Sequence, residues 1–111
     1  MKMVSLGDRK LFSILLGQSP PSVSYNRTGI GLPFYQGKSD FGFMYPRASM
    51  WCTEPIRIAQ KGDVLISVRA PVGPVNIASE ECCIGRGLAA IRPGTDVDSA
   101  YLFWILKGYE K

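Results

Sequence analysis

The sequence predicts an α+β fold, a twisted and mostly antiparallel β-sheet or partial barrel with long loops and one C-terminal apolar helix. Short apolar runs alternate with glycine, proline and charged residues along most of the 111 positions. Twelve glycines and eight prolines, roughly half as many again as in an average protein, indicate many turns. Only residues 98–108 have a helical composition. An apolar content of 46% favours a single globular domain.

Residues 59–93 contain the clearest strand pattern. Val64, Ile66 and Val68 alternate with other residues, which is typical of a strand with one face on a core. Pro71 favours a turn after this strand. Links this short predict antiparallel neighbours, and therefore a β-meander, because a parallel crossover needs about a dozen residues. The predicted strands of the meander are 64–69, 75–78, 82–84 and 88–91.

The first half of the chain predicts further short strands between polar loops. A capped turn is expected at residues 5–8, and Leu11 begins a buried strand that Gly17 ends. Pro33 should lie at the start of its strand or on a sheet edge, because proline cannot donate to the ladder. The predicted strands are 11–16, 32–36, 50–52 and 55–58, and the predicted loops are 18–31 and 37–47.

The C-terminal segment predicts one helix. Asp98 is a good N-cap, residues 99–107 follow as the helix, and Gly108 can end it in a left-handed conformation. Residues 100–106 are apolar nearly all round, whereas a helix on a domain surface needs one apolar stripe. The helix is therefore either enclosed by the domain or open to a partner, and Phe103 and Trp104 are the candidate partner-binding residues.

The net charge and the cysteine content limit the classes of partner and site that the chain can have. A net charge of +4 and a pI near 9.1 favour an anionic partner. Three cysteines without a Cys-x-x-Cys pair, in a chain without histidine, favour buried thiols over a zinc site. No apolar run has the length of a membrane span. The expectation is a soluble, cytoplasmic protein without a cofactor.

Catalytic motifs are weak. Gly29 and Gly31 lack the third glycine and the strand–helix context of a dinucleotide site. Nucleophilic catalysis would lack its usual histidine base. A small nuclease remains an alternative, with Asp63, Glu80 and Glu81 as candidate magnesium ligands, although Asp63 also suits a turn before a strand.

Basic and amide side chains beside aromatic residues form the strongest binding signal. Such side chains reach phosphates and base edges in DNA. The alternative is that the aromatic residues fill the core while the charges are only solvated. The candidate DNA-binding residues are Asn26, Arg27, Gln36, Lys38, Arg47, Arg69 and Arg86.

Three segments resemble the target-recognition domain of the specificity subunit of type I restriction-modification enzymes. They are GQSPPSVSYNRTGIGLPFYQGKSDFG, GDVLISVRAPVGPVNIA and CCIGRGLAAIRP. The resemblance implies a non-catalytic reader of double-stranded DNA over residues 1–111. It also implies two macromolecular partners, the methyltransferase (modification) subunit and the restriction subunit.

The chain departs from the family pattern at its C-terminal end. Family domains continue into further strands and a long spacer helix, and two such domains read the two halves of a split target. Neither the spacer helix nor a second repeat is present here. The expectation is one recognition domain, either a truncated fragment or a half-subunit that forms a homodimer or pairs with another specificity domain. The rival hypothesis is a protein-interaction or oligomerisation module that uses the apolar helix and does not read DNA.

Overall fold

The computed structural model describes residues 12–69, 73–94 and 97–108. Within these residues the fold is α+β, as the sequence predicts, with two mostly antiparallel sheets, one helix and no closed barrel. The elements are β1 (Phe12–Leu16), β2 (Tyr25–Asn26), β3 (Leu32–Tyr35), β4 (Trp51–Cys52), β5 (Ile58–Ala59), β6 (Val64–Ser67), β7 (Val75–Ile77), β8 (Cys82–Ile84), β9 (Leu88–Pro93) and α1 (Ser99–Lys107).

The first sheet has four antiparallel strands in the order β1-β9-β6-β7. Ile91 lies opposite both Ile14 and Val64, and Val64 lies opposite Ile77. These four side chains form an apolar row across one face of the sheet. Helix α1 covers the β6–β7 half of that face, where Val64 and Ile77 are buried together with residues of the helix.

The second sheet has five strands in the order β2-β4-β3-β8-β5, in which only β3 and β8 are parallel. Its residues Tyr35 and Ile84 pack against Leu65 and Leu88 of the first sheet. Because Leu65 points away from the helix-covered face, the four-stranded sheet lies between α1 and the second sheet. Strand β6 therefore has a core on both faces, whereas the sequence predicted a core on one.

The predicted β-meander is wrong, because β8 belongs to the other sheet. All three β8 residues are fully buried, so the strand needs cover on both sides, which β3 and β5 and the packed sheets supply. A tight turn then redirects the chain, with the Leu88 amide donating to the Gly85 carbonyl at 3.0 Å. Strand β9 consequently pairs with β1 and β6 and not with β8.

The early strands differ from prediction in exposure. Strand β1 was predicted to be buried, but it is an edge strand, and its residues Ile14 and Leu16 are 60% and 66% exposed. Pro33 is the second residue of β3, and pairing with β8 begins one residue later at Phe34. Strand β2 lies within a segment predicted as loop. The turn predicted at residues 5–8, the strand residue Leu11 and the turn at Pro71 lie outside the described residues.

Helix α1 has the predicted bounds. The Asp98 carboxylate accepts the Tyr101 amide at 3.1 Å as an N-cap. The predicted left-handed conformation of Gly108 is wrong. Its φ is −65°, and its amide donates to the Trp104 and Ile105 carbonyls, so it continues the right-handed turn. Among the described residues, no helix has both the length and the apolar character needed to cross a bilayer.

All three cysteines are free and buried, as predicted. Burial, with smaller contributions from nearby Cys83 and Asp63, raises the pKa of the Cys82 thiol to about 12. Burial, with a hydrogen bond to Cys52, also raises the pKa of the Cys83 thiol to about 12. These thiols pack as small apolar groups at the centre of the sheets.

Candidate nucleic-acid interface

Two adjacent clefts lie on one face of the molecule. The first, named here the Arg86 cleft, has a volume of about 400 Å³ and is lined by Ser19, Tyr25, Gln36, Gly37, Ser39, Arg69, Arg86 and Gly87. The second, named the Arg47 cleft, has a volume of about 550 Å³ and is lined by Ser39, Asp40, Phe41, Gly42, Arg47, Ala48 and Ser49. Because Ser39 lines both, the two clefts form one continuous surface, the basic face.

A rigid turn carries Arg86 into its cleft. The turn is closed by the bond between Leu88 and the Gly85 carbonyl. The Gly85 amide donates to the Tyr35 carbonyl at 2.8 Å, and the Arg86 amide donates to the Ser19 hydroxyl oxygen at 3.3 Å. The backbone beneath Arg86 is thus attached both to the second sheet and to the segment that follows β1.

The glycines on both sides of Arg86 lie in tight contacts, with backbone at Gly87 and with side chains at Gly85. A Cβ on Gly87 would lie 2.3 Å from the Gln36 carbonyl oxygen. One on Gly85 would lie 3.0 Å from the Ser19 hydroxyl oxygen and 3.1 Å from the Phe34 ring. The Gly87 carbonyl in turn accepts the Val68 amide at 3.0 Å. Gly87 thus lies where two backbone segments approach closely.

Gln36 and Arg69 reach the same cleft from two other segments. The backbone amide of Gln36 donates to the Asp40 carboxylate at 2.8 Å, which fixes the end of β3. Gln36, Arg69 and Arg86 are exposed, and in the described part of the chain their side chains have no hydrogen-bond or ion-pair partner. Three planar side chains therefore line one cleft with their donors available to a ligand.

Arg47 lines the second cleft, and Lys38 lies next to its lining residue Ser39. Lys38 begins a single 3₁₀ turn, Lys38–Asp40, that separates the two clefts. The Arg47 amide donates to the Asp40 carbonyl at 2.9 Å, which closes the loop between them. Arg27 lies nearby, since its guanidinium donates to the carbonyl of Ser49, a lining residue. Both Lys38 and Arg47 are exposed.

Asn26 has a local structural role. Its side-chain amide donates to the Ile30 carbonyl at 2.8 Å, and its carbonyl oxygen accepts the Thr28 and Ile30 amides. These contacts close the loop after β2. A contact between the Asn26 side chain and a DNA base edge, as the sequence predicts, would require these bonds to open.

The residues of the nuclease alternative lie elsewhere. Asp63 lines a separate cleft of about 460 Å³ that shares no lining residue with the basic face. Its carboxylate accepts hydrogen bonds from Nε and Nη2 of Arg92, both at 2.9 Å. It also accepts one from the Gln60 backbone amide at 2.9 Å. Glu81 accepts the Gln60 side chain at 3.2 Å. Within the described ranges, no three acidic or cysteine side chains are grouped to hold a metal.

The ion pair to Asp63 was missed in the sequence. Arg92 lies at the end of β9, and sequence reasoning did not single it out. The two residues are 29 positions apart, so no local spacing connects them. Their only sequence signal is that a charged residue at each position interrupts an otherwise apolar strand region.

The two candidate partner-binding residues differ. Phe103 is fully buried against Val64 and Val75 and is not exposed on the surface of this domain. Its role in partner binding stays a prediction. Trp104 is 50% exposed, with its ring 6.1 Å from that of Phe43. Lys107 lies 5.1 Å from the centre of the Phe43 ring. The helix therefore encloses one side and exposes another, which carries Tyr101, Trp104 and Ile105.

Comparison with known proteins supports the resemblance predicted from the sequence. No protein-family model matches the chain. A protein of Methanocaldococcus jannaschii, provisionally described as the specificity subunit of type I restriction enzyme MjaX, is 50% identical over 106 residues. The matched region is 95% of this chain and 25% of that protein.

Solved structures give the same result. A chain from a structure concerned with complex assembly and conformational transition of the type I R-M system is 52% identical, with a TM-score of 0.87 over 91% of this chain and 26% of that one. The crystal structure of the HsdS subunit from Thermoanaerobacter tengcongensis is 54% identical, with a TM-score of 0.83 over 87% of this chain and 25% of that subunit. The chain thus spans about a quarter of the length of the proteins it matches.

Proposed function

Because the chain is homologous to a segment of the specificity subunits of type I restriction enzymes, we propose that it is a target-recognition domain for double-stranded DNA. It reads sequence with its basic face and catalyses neither methylation nor cleavage. In a type I system it directs the modification and restriction subunits to the site. A cytoplasmic location stays a prediction.

The observation that carries this proposal is the 50% identity over 95% of the chain to a specificity subunit. The arrangement of the basic face supports it. Gln36, Arg69 and Arg86 come from three segments to one cleft, and Arg47 lines the next. Lys38 is exposed on the turn between the two clefts. Amide and guanidinium groups side by side suit contacts with both phosphates and base edges.

Binding by the single domain should be weak. One small module contributes roughly 600–1,000 Å² to a DNA interface, whereas whole specific complexes bury roughly 1,000–2,500 Å². A split target also requires a second reader at a fixed distance. We therefore propose that a second recognition domain completes the site.

Salt dependence of binding tests the proposal. The double variant Lys38→Ala/Arg47→Ala should weaken binding to random duplex DNA and reduce the slope of log affinity against log salt by about 2, since each phosphate contact contributes about 0.9. The double variant Arg57→Ala/Lys61→Ala is the matched control, because it removes the same charge from exposed positions outside the basic face. Equal slopes for the two variants would contradict the assignment of the surface.

The rival function is a protein-interaction module, and one observation favours it. Tyr101, Trp104 and Ile105 are exposed together on α1, an apolar patch that suits a protein partner. The two functions differ in their response to salt, because binding through phosphates falls steeply as salt rises and apolar association does not. Chain mass measured by light scattering, with and without duplex DNA, separates them.

A further inference from the structure

Arg86 differs from the other basic residues in how firmly its backbone is held. Its turn is closed by one hydrogen bond, tied to Ser19 and Tyr35 by two more, and packed so closely that a Cβ on Gly87 would lie 2.3 Å from a backbone oxygen. Its guanidinium, by contrast, has no protein partner among the described residues. A firmly held backbone together with an unpaired guanidinium is what accurate positioning of a ligand contact requires.

The two kinds of DNA contact make different demands on an arginine. A phosphate presents charge over a wide range of approach directions, so an arginine on a mobile or solvated loop suffices. Guanine presents O6 and N7 side by side in the major groove, and the two parallel N–H groups of a guanidinium must meet both at once. A contact of the second kind gains most from a turn that cannot shift.

We propose that Arg86 reads one guanine of the target through O6 and N7, while Lys38 and Arg47 contact phosphates. This inference rests on the proposed DNA-binding function and assigns the residues of its basic face to different tasks. Gln36, which lines the same cleft, lies beside the reading position. Arg27 is not assigned a base, because its guanidinium is already bonded to the Ser49 carbonyl.

The test begins with selection of preferred duplexes from a randomised library by the full chain. Each guanine of the preferred duplex is then replaced, one at a time, by 7-deazaguanine, which lacks the N7 acceptor and still pairs with cytosine. One replacement removes one of the two hydrogen bonds and should weaken binding by the wild-type chain about 2- to 12-fold, half the free energy of a bidentate base contact. In Arg86→Ala the same replacement should have no effect.

Two further variants separate base reading from charge. Arg86→Lys keeps the charge and loses the planar fork, so it should retain affinity for random duplex and lose discrimination at the one position. Arg47→Ala should weaken every duplex by the same factor and leave the effect of 7-deazaguanine unchanged. Near-ultraviolet circular dichroism establishes that each variant is folded.

The outcomes distinguish the two levels of the argument. Uniform weakening of all duplexes by Arg86→Ala, with every 7-deazaguanine effect retained, would overturn the base-reading assignment and leave DNA recognition intact. A preferred duplex without guanine would do the same. If the folded wild-type chain binds no duplex even at low salt, the proposed function fails and the assignment fails with it.

Discussion

The ion pair between Asp63 and Arg92 offers a quantitative test of what holds β6 and β9 together at one end of the first sheet. Asp63 follows the turn before β6, and Arg92 lies on β9. The Asp63 side chain is 3% exposed and that of Arg92 is 48% exposed. The hydrogen bonds that Arg92 donates to the Asp63 carboxylate raise the pKa of Arg92, so its guanidinium stays charged. The perturbations are Asp63→Ala, Asp63→Asn and Arg92→Ala.

The expected magnitude follows from this asymmetry. Breaking a fully buried pair costs about 3–5 kcal/mol because a charge is left without a partner. Arg92→Ala leaves the buried Asp63 carboxylate in that condition and should cost about 3 kcal/mol. Asp63→Asn leaves an arginine that water reaches, and it keeps an acceptor for the Gln60 amide, so about 1–2 kcal/mol is expected. Asp63→Ala loses that acceptor too and should cost about 1 kcal/mol more.

Urea unfolding of Asp63→Asn, of Arg92→Ala and of the double variant Asp63→Asn/Arg92→Ala measures the coupling free energy between the two side chains directly. We expect a coupling free energy of about 1–2 kcal/mol, with the double variant less destabilised than the sum of the single ones. DNA binding by the folded variants should not change, because the pair lies in a cleft separate from the basic face. Additive free energies, or a loss below about 0.5 kcal/mol for Arg92→Ala, would show that the pair behaves as an ordinary surface pair.

Three further outcomes are expected. Gly87→Ala should lower the free energy of unfolding by at least about 2 kcal/mol and impair DNA binding, because the new Cβ would meet backbone atoms. Gly37→Ala is the control and should leave stability unchanged, because a Cβ there has nothing within 4 Å. Equal melting temperatures of the two variants would contradict this. A thiol reagent should label none of the three buried cysteines rapidly in the native chain and all three in urea. The neutral Cys82 and Cys83 thiols, whose pKa is about 12 in the fold and 9.0 ordinarily, contribute stability that is complete below about pH 9 and is lost as pH rises toward 12; a urea midpoint that stays constant over that interval would refute it.

Local sequence signals predicted the elements with local causes. Helix α1 has its predicted bounds because an N-cap aspartate and an unbroken run of helix-compatible residues act within a few positions of each other. The hairpin of β6 and β7 follows from a short link with proline and glycine. The left-handed Gly108 was wrong because glycine permits that conformation without requiring it.

Sheet membership depends on distant partners, and the sequence predicted it poorly. Strand β8 joins β3 in a parallel pair although about 46 residues separate them in the chain. Its three apolar residues show that it is buried and say nothing of its neighbours. The same limit applies to α1, because an all-round apolar helix leaves open which side meets the sheet. The structure gives Phe103 to the core and Trp104 to the surface.

The candidate site shows why residue type alone selects too many residues. Asn26 and Gln36 carry the same amide group and were equally good candidates for reading adenine. Asn26 is committed to closing its own loop, while the longer side chain of Gln36 is free of hydrogen bonds to the described residues and lines the Arg86 cleft. Arg27 and Arg86 differ in the same way. The Arg27 guanidinium donates to the Ser49 carbonyl, whereas that of Arg86 has no such bond among the described residues. Which polar groups a fold leaves without an internal partner is a property of the tertiary structure, and it decides which of them remain available to bind DNA.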